Sequence, residues 1–204
     1  MPMVFVGRNY VDHAKEMGNE VPKEPLLFLK PTSSIIRPGD AIVLHPVSKH
    51  IEFEGEIGLV LGRRLTRASE AEALAALTHV VAINDVSARD LQKNDGQWAR
   101  AKGLDTFCPM GTPAPLPADW SELTVVTTQN GVERQRGKAS SMVFSIPMVL
   151  SYISQYITLE AGDVVATGTP AGVAPLSPGD TITVELFGSS GLLSSVSNPV
   201  IAGT

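Results

Sequence analysis

Glycine, proline or a charged residue interrupts the apolar stretches of this chain every few residues. The sequence holds 18 glycines and 15 prolines among 204 residues, and its apolar stretches end after a few residues at one of these or at a charge. Glycine weakens helices and strands, and proline cannot donate a backbone hydrogen bond in either. Because a helix that crosses a bilayer needs about 20 mostly apolar residues, we predict short elements and no membrane segment.

The length and composition predict one domain, covering residues 1–204. A chain of this size with 43% hydrophobic residues can bury one sizeable core. Acidic residues outnumber basic ones by 21 to 16, and no cluster of Lys or Arg suits nucleic acid or an anionic membrane. Cys108 is the single cysteine, so no intrachain disulfide can form, and the N-terminus lacks the residue order of a secretory signal. We therefore expect a cytoplasmic protein.

Hydrophobic periodicity predicts more strand than helix, so the fold class is α+β and β-rich. Asn130-Gly131 gives the strongest hairpin signal because both residues tolerate positive φ, and Ser69 and Ser145 suit helix N-caps. Strands are predicted at 3–7, 26–29, 41–44, 51–60, 79–84, 123–128, 132–135, 164–167 and 181–187, with antiparallel structure over 26–44 and a final strand and polar tail. Helices are predicted at 10–17, 69–77, 87–93 and 145–156, and a loop at 94–111.

Three carboxylates are the strongest candidates for a metal site. In the predicted strand 51–60, Glu54 and Glu56 point to the same side, with α-carbons roughly 6.5 to 7 Å apart. Asp85 ends the next predicted strand and is the natural third ligand. Hard divalent cations such as Mg²⁺ prefer such oxygen ligands. The alternative is a solvated acidic sheet face, but flanking glycines and the repulsion between the carboxylates favour a cation.

Three further groups could act on a substrate. Arg89 and Gln92 share a face of a predicted helix and suit an acidic ligand, although they could equally be an exposed pair. His13 and Glu16 are three residues apart on another predicted helix, so the carboxylate could orient the imidazole as a general base. A lone histidine is nevertheless more often packed or exposed than catalytic. Lys102 could stabilise an oxyanion or be solvated.

Together these motifs resemble the fumarylacetoacetate hydrolase family, and they follow one another over nearly the whole chain. The residues that carry the resemblance are Gly7-Arg8-Asn9-Tyr10 with His13 and Glu16, Glu54-Gly55-Glu56, the run from Asp85 to Gln92, Ala101-Lys102-Gly103, the run from Asp105 to Pro109, Ser145-Ile146-Pro147, and the run from Thr167 to Val173. The resemblance implies a mixed β-sandwich roll and a homodimer. It also implies Mg²⁺, Mn²⁺ or Ca²⁺ at the three carboxylates.

The resemblance also implies roles for the other residues. By this likeness, Lys102 lies beside the metal, while Arg89, Gln92 and Thr169 contact the substrate. His13 with Glu16 would activate water on a lid that becomes ordered over the ligand. The chain begins almost at the Gly-Arg-Asn-Tyr motif, without the N-terminal domain of larger members, which points to the small acylpyruvate hydrolase or 2-hydroxyhepta-2,4-diene-1,7-dioate isomerase-like branch. The short link at 93–97, where relatives differ, should shape the pocket beyond the metal.

The expected activity is metal-dependent cleavage of a C–C bond in a small 2,4-dioxo acid of the acylpyruvate or fumarylpyruvate type. The products would be pyruvate and a carboxylic acid. The same enolate chemistry would serve an oxaloacetate decarboxylase, or an isomerase or decarboxylase of unsaturated 2-oxo dioates in aromatic catabolism. A metal-binding or ligand-binding protein without turnover is the non-enzymatic alternative.

Overall fold

This computed structural model describes residues 3–204 of the chain. They contain fifteen strands and five short α-helices. The strands are β1 (Met3–Gly7), β2 (Leu26–Lys30), β3 (Ile35–Ile36), β4 (Ile42–Leu44), β5 (Ile51–Glu52), β6 (Gly55–Leu61), β7 (Leu77–Asn84), β8 (Ser87–Ala88), β9 (Cys108–Pro109), β10 (Ala114–Pro115), β11 (Thr124–Gln129), β12 (Val132–Lys138), β13 (Val164–Ala166), β14 (Thr181–Gly188) and β15 (Gly191–Ala202). The helices are α1 (Val11–Glu16), α2 (Glu70–Ala76), α3 (Arg89–Asn94), α4 (Ala99–Lys102) and α5 (Ile146–Tyr156). The predicted β-rich α+β class is confirmed.

Two larger sheets build the core. One has the strand order β10-β7-β6-β13-β1-β2, and the other has the order β12-β11-β14-β15-β4. Both are mixed, because β1 is parallel to β13 and β4 is parallel to β15 while their other pairings are antiparallel. The largest apolar cluster joins Ile57 and Leu59 of the first sheet to Val125 and Val184 of the second. The two sheets therefore pack against each other over a shared core.

The strongest local predictions are confirmed. β11 and β12 pair as an antiparallel hairpin, and Asn130 and Gly131 between them have φ of 54° and 77°. Ser69 forms a capping box with Glu72 at the start of α2. The side chain of Ser145 accepts a hydrogen bond from a backbone N–H in the first turn of α5.

The predicted strand at 51–60 is wrong in one respect, because the chain changes pairing partner in its middle. β5 pairs with β8, whereas β6 pairs with β7. Between them, the backbone N–H of Glu54 donates to the side chain of Asn84 at 3.0 Å instead of to a neighbouring strand. Both faces of residues 51–59 are buried, so the acidic face does not meet solvent as a surface sheet would.

Other local predictions miss short elements that depend on distant partners. The predicted helix at 87–93 begins later, at Arg89, because Ser87 and Ala88 form β8 against β5. The predicted loop at 94–111 contains α4 and β9, which are too short to show a period. The antiparallel prediction for 26–44 holds for β2 against β1, but β4 pairs in parallel with β15. Among residues 3–204, no helix is long and apolar enough to cross a membrane.

Candidate functional site

A cavity of about 700 Å³ lies where the acidic motif meets the glycine-bearing loops. Eight of the nine predicted site residues line it: His13, Glu54, Glu56, Asp85, Arg89, Gln92, Lys102 and Thr169. The ninth, Glu16, lies next to His13. The structure therefore gathers residues from α1, β6, the end of β7, α3, α4 and the loop after β13 around one space.

Antiparallel pairing of β6 with β7 brings the three carboxylates together. Gly55, the first residue of β6, lies opposite Asn84, the last residue of β7, so Glu54 just before β6 and Glu56 within it lie close to Asp85 just after β7. The three side chains are buried, and one oxygen from each lies within 4.8 Å of the others. These residues, here called the carboxylate triad, offer only oxygen atoms, which are the ligands that hard divalent cations prefer.

Cationic side chains compensate two members of the triad. Lys102 Nζ donates to Glu54 Oε2 at 2.6 Å and to Asp85 Oδ2 at 2.5 Å. Arg89 donates to Glu54 Oε1 at 2.6 Å. Burial alone would raise the pKa of Glu54, but the charges of Arg89 and Lys102 outweigh it and hold that pKa well below its ordinary value. Glu54 is therefore a carboxylate in the folded protein.

Glu56 has no comparable partner. Among residues 3–204, no Lys, Arg or His nitrogen lies within 4.0 Å of its carboxylate, which accepts a hydrogen bond from the backbone N–H of Gly168 at 2.8 Å. Burial, with the negative charges of Asp85 and Glu54, raises the pKa of Glu56 well above its ordinary value. Glu56 is thus the one triad carboxylate without a positively charged partner in residues 3–204. A bound divalent cation would supply that positive charge.

Lys30 is a buried part of the site that the sequence analysis missed. Its Nζ donates to Asp85 Oδ1 at 2.6 Å, to the carbonyl of Phe107 at 2.5 Å and to the carbonyl of Val86 at 3.2 Å. It is 3% exposed at the end of β2. In the sequence, Lys30 is only a lysine that ends an apolar strand. Many exposed lysines share that pattern, so it does not predict a buried site residue. Lys30 and Lys102 hold the two oxygens of Asp85 from different directions.

Arg89 supports the acidic residues of the protein itself. Its guanidinium donates to Glu52 at 2.6 Å, to Glu54 at 2.6 Å and to Gln92 Oε1 at 2.8 Å. Burial would lower the pKa of Arg89, but the charges of Glu54 and Glu52 raise it above the ordinary value. The guanidinium donors that were predicted to bind a substrate carboxylate are thus occupied by side chains of the protein. The Gln92 amide nitrogen donates to no group within residues 3–204, so Gln92 is the member of this pair with a donor to spare.

Thr169 is held at the cavity wall by a second residue that sequence reasoning missed. The Thr169 hydroxyl donates to the carbonyl of Gly55 at 2.9 Å and accepts from Gln135 Nε2 at 2.8 Å. Gln135 Oε1 in turn accepts from the backbone N–H of Gly55 at 2.9 Å. Gln135 therefore joins β12 to Gly55, which lies between the two glutamates of the triad. No local pattern in β12 distinguishes it.

The predicted dyad forms on α1 and faces the triad. His13 Nδ1 lies 3.4 Å from Glu16 Oε2, and His13 Nε2 lies 3.8 Å from Glu54 Oε1. The backbone N–H of Gly172 donates to both Glu16 oxygens, at 3.0 and 3.2 Å. His13 is 5% exposed. The ring therefore has one nitrogen on its orienting carboxylate and the other toward the cavity, which is the arrangement that a general base requires.

The chain is similar to several known proteins over most of its length. The family model of the fumarylacetoacetate (FAA) hydrolase C-terminal region matches residues 3–201. The oxaloacetate tautomerase FAHD1 of Arabidopsis thaliana is 42% identical over 195 residues, which are 92% of this chain and 87% of that protein. The 2,4-didehydro-3-deoxy-L-rhamnonate hydrolase of a Sphingomonas strain is 42% identical over 175 residues, 84% of this chain and 61% of that protein.

A solved structure extends the likeness to the fold. The crystal structure named 5-carboxymethyl-2-hydroxymuconate delta-isomerase, from Mycobacterium smegmatis, superposes with a TM-score of 0.90 at 39% identity. The superposition covers 100% of this chain and 79% of the M. smegmatis chain. The related proteins are thus named for a tautomerase, a hydrolase and an isomerase. On sequence, fold and family model together, this chain belongs to the fumarylacetoacetate hydrolase family.

Proposed function

We propose that the protein is a divalent-metal-dependent hydrolase that cleaves a C–C bond in a small 2,4-dioxo acid of the acylpyruvate or fumarylpyruvate type. The observation that carries this proposal is the placement of the His13–Glu16 dyad, whose free imidazole nitrogen lies 3.8 Å from Glu54 in the triad. A general base at this position is needed to activate water. A protein that only bound a metal or a ligand would not need it.

The triad would hold the metal, and Mg²⁺ suits its three carboxylates, as do Mn²⁺ and Ca²⁺. When bound, a divalent ion polarises the oxygens of a 2-oxo acid and stabilises negative charge that develops there. Lys102 adds a second positive charge at the same place, since its Nζ contacts both Glu54 and Asp85. Gln92 contributes a free amide donor on the cavity wall.

The residues of the chain suffice for the proton transfers of the reaction. His13 Nε2 accepts a proton from water while Glu16 holds the ring through Nδ1, and the water oxygen adds to the C4 carbonyl of the substrate. The C3–C4 bond then breaks, and its electron pair remains on C3 as the enolate of pyruvate. The protonated His13 returns this proton to C3, which gives pyruvate and the neutral imidazole, and the C4 fragment leaves as a carboxylic acid. Lys102 lowers the energy of the enolate by its charge.

The first test is release of pyruvate by the Mg²⁺-loaded protein from acetylpyruvate, fumarylpyruvate and oxaloacetate, each with and without EDTA. We expect release from the two acylpyruvates that EDTA abolishes. His13→Ala should lower kcat by about 10²- to 10⁴-fold, the usual contribution of a general base, with nearly unchanged metal affinity. His79→Ala, at an exposed histidine outside the cavity, is the matched control. Full hydrolysis by His13→Ala would overturn the proposal.

A second candidate is isomerisation or tautomerisation of a 2-oxo dioate, which the names of the Arabidopsis and M. smegmatis proteins favour. Such a reaction moves a proton through the same enolate and needs no attack by water. Decay of the enol absorbance of oxaloacetate would reveal a tautomerase, whereas pyruvate from oxaloacetate alone would reveal a decarboxylase. Enol decay without pyruvate from any substrate would replace the hydrolase proposal.

A further inference from the structure

Arg8 lies on the cavity wall, and its charge has no partner within residues 3–204. Its backbone has φ of 60°, a conformation that is strained for a residue with a side chain and that is concentrated at functional sites. Its guanidinium carbon lies 6.0 Å from the centre of the Trp98 ring, which is within reach of a cation–π contact. Within the described residues 3–204, the Arg8 side chain makes no hydrogen bond and has no carboxylate within 4.0 Å.

An aromatic wall connects Arg8 to the triad. Lys102 Nζ, which contacts the triad, lies 4.9 Å from the ring centre of Phe28. Phe28 meets Trp98 edge to face, with ring centres 5.4 Å apart, and Trp98 then lies beneath Arg8. Gly7 permits this arrangement, since a Cβ at Gly7 would come within 3.1 Å of the Trp98 ring. A series of contacts, from Lys102 through Phe28 and Trp98, therefore connects the triad to Arg8 along the wall of one cavity.

The other charged groups around the cavity differ from Arg8. Glu52 is engaged by Arg89 and His50, and Asp90 accepts hydrogen bonds from Ser48 and two backbone N–H groups. Lys93 lacks a partner within residues 3–204, but its side chain is exposed, so water satisfies it. The Arg8 guanidinium is thus half-buried and lacks a partner within residues 3–204. A guanidinium can bind a carboxylate through two parallel hydrogen bonds.

We propose that Arg8, supported by Trp98, binds a second carboxylate at the far end of the substrate. The preferred substrate is then a 2-oxo acid with a carboxylate at each end, rather than a monocarboxylate such as acetylpyruvate. This inference rests on the proposed function, which places the 2-oxo acid end of the substrate, with its first carboxylate, at the triad. It assigns specificity to the Gly7-Arg8 motif and to Trp98, at the end of the short 93–97 link.

The kinetic test compares fumarylpyruvate, which has the distal carboxylate, with acetylpyruvate, which lacks it, using Mg²⁺-saturated enzyme. Arg8→Met should raise KM for fumarylpyruvate by about 10- to 100-fold, the usual value of hydrogen bonds to a charged group, and change KM for acetylpyruvate less than about twofold. Arg8→Lys should recover part of the loss, because lysine keeps the charge without the fork. Arg63→Met removes an exposed arginine outside the cavity and should change neither value.

A binding measurement separates this inference from the proposed function. Titration calorimetry would compare 2-oxoheptanedioate with 2-oxoheptanoate, which share a chain length and differ in the distal carboxylate. We expect the parent protein to prefer the dioate and Arg8→Met to lose that preference. Equal affinity of the parent for both ligands would overturn the subsite even if hydrolysis occurs. An Arg8-dependent preference in a protein that hydrolyses neither substrate would support the subsite and reject the hydrolase.

Discussion

Lys30 and Lys102 both pair with the buried carboxylate of Asp85, and within residues 3–204 Lys30 pairs with no other carboxylate. Removing one partner of a buried ion pair leaves the other charge in a poorly solvating environment, at a cost of about 3–5 kcal/mol. We expect Lys30→Met to lower the free energy of unfolding of the metal-free protein by about this amount, measured by urea denaturation. The double variant with Asp85→Asn should recover part of the loss. If both variants are as stable as the parent, this pair contributes nothing.

Glu56 and Glu54 should respond in opposite ways to the same substitution. Without metal, Glu56→Gln removes repulsion from its carboxylate neighbours and should keep or raise stability, by up to about 1 kcal/mol. Glu54→Gln weakens the ion pairs with Arg89 and Lys102 and should therefore lower the stability of the metal-free protein. Both variants should bind Mn²⁺ at least about 100-fold more weakly in an EPR titration, since loss of an outer contact alone costs 10- to 100-fold. Unchanged Mn²⁺ affinity in both would reject the triad as ligands.

Cys108 should be inert in the folded protein. It is buried, and burial raises the pKa of its thiol to about 12, while the thiolate is the reactive form. At pH 8 we expect no reaction with a disulfide reagent on the timescale of minutes, and one thiol per chain to react after denaturation in guanidinium. Rapid modification of the native protein would show that this part of the core opens readily.

Among the elements, the loop after β13 links the triad to the dyad. The N–H of Gly168 contacts Glu56, and the N–H of Gly172 contacts Glu16. Both glycines have positive φ, of 97° and 104°, and a Cβ at Gly172 would collide with the carbonyl of Arg134. The loop therefore depends on glycine both for its backbone conformation and for its close approach to β12.

Two glycine substitutions separate these effects. Gly179→Ala, at φ of 94° with open space around it, should cost about 1–3 kcal/mol from backbone strain alone. Gly172→Ala adds the collision and displaces the support of Glu16, so we expect a larger loss of stability and a lower kcat. Urea denaturation and pyruvate release measure the two readouts. Equal effects of both variants on kcat would show that the Glu16 contact is unimportant.

At the scale of the whole molecule, metal binding should stabilise the fold. A ligand that binds only the native state adds about 2.7 kcal/mol at 100 times its Kd. We therefore expect Mg²⁺ or Mn²⁺ to raise Tm in calorimetry and EDTA to reverse the rise, since the triad is assembled from β6 and β7 only on folding. The Glu56→Gln variant should show no rise. A Tm that does not depend on any divalent ion would contradict a metal site.

We also propose that the chain forms a homodimer, as the family resemblance implies. Light scattering after size-exclusion chromatography would measure the mass directly, with 21.6 kDa expected for one chain and twice that for the dimer. A single species at the lower mass across micromolar concentrations would reject the dimer.

The hairpin at Asn130-Gly131, the capped starts of α2 and α5, and the residue types of the site all follow from local chemistry. These signals act within a few residues, through allowed φ angles and nearby hydrogen bonds. The spacing of Glu54 and Glu56 also placed both on one strand region, although the strand itself begins only at Gly55. The family motifs then predicted which residues would gather around the cavity.

The charge balance of the site depends on contacts between segments that are far apart in the chain. Lys30 is 55 residues from Asp85 and 77 from Phe107, and Gln135 is 80 from Gly55. The exchange of partners between β5 and β6 and the parallel pairing of β4 with β15 likewise depend on strands far away in the chain. No local period encodes such contacts, because they are made by packing distant segments together rather than by backbone preference.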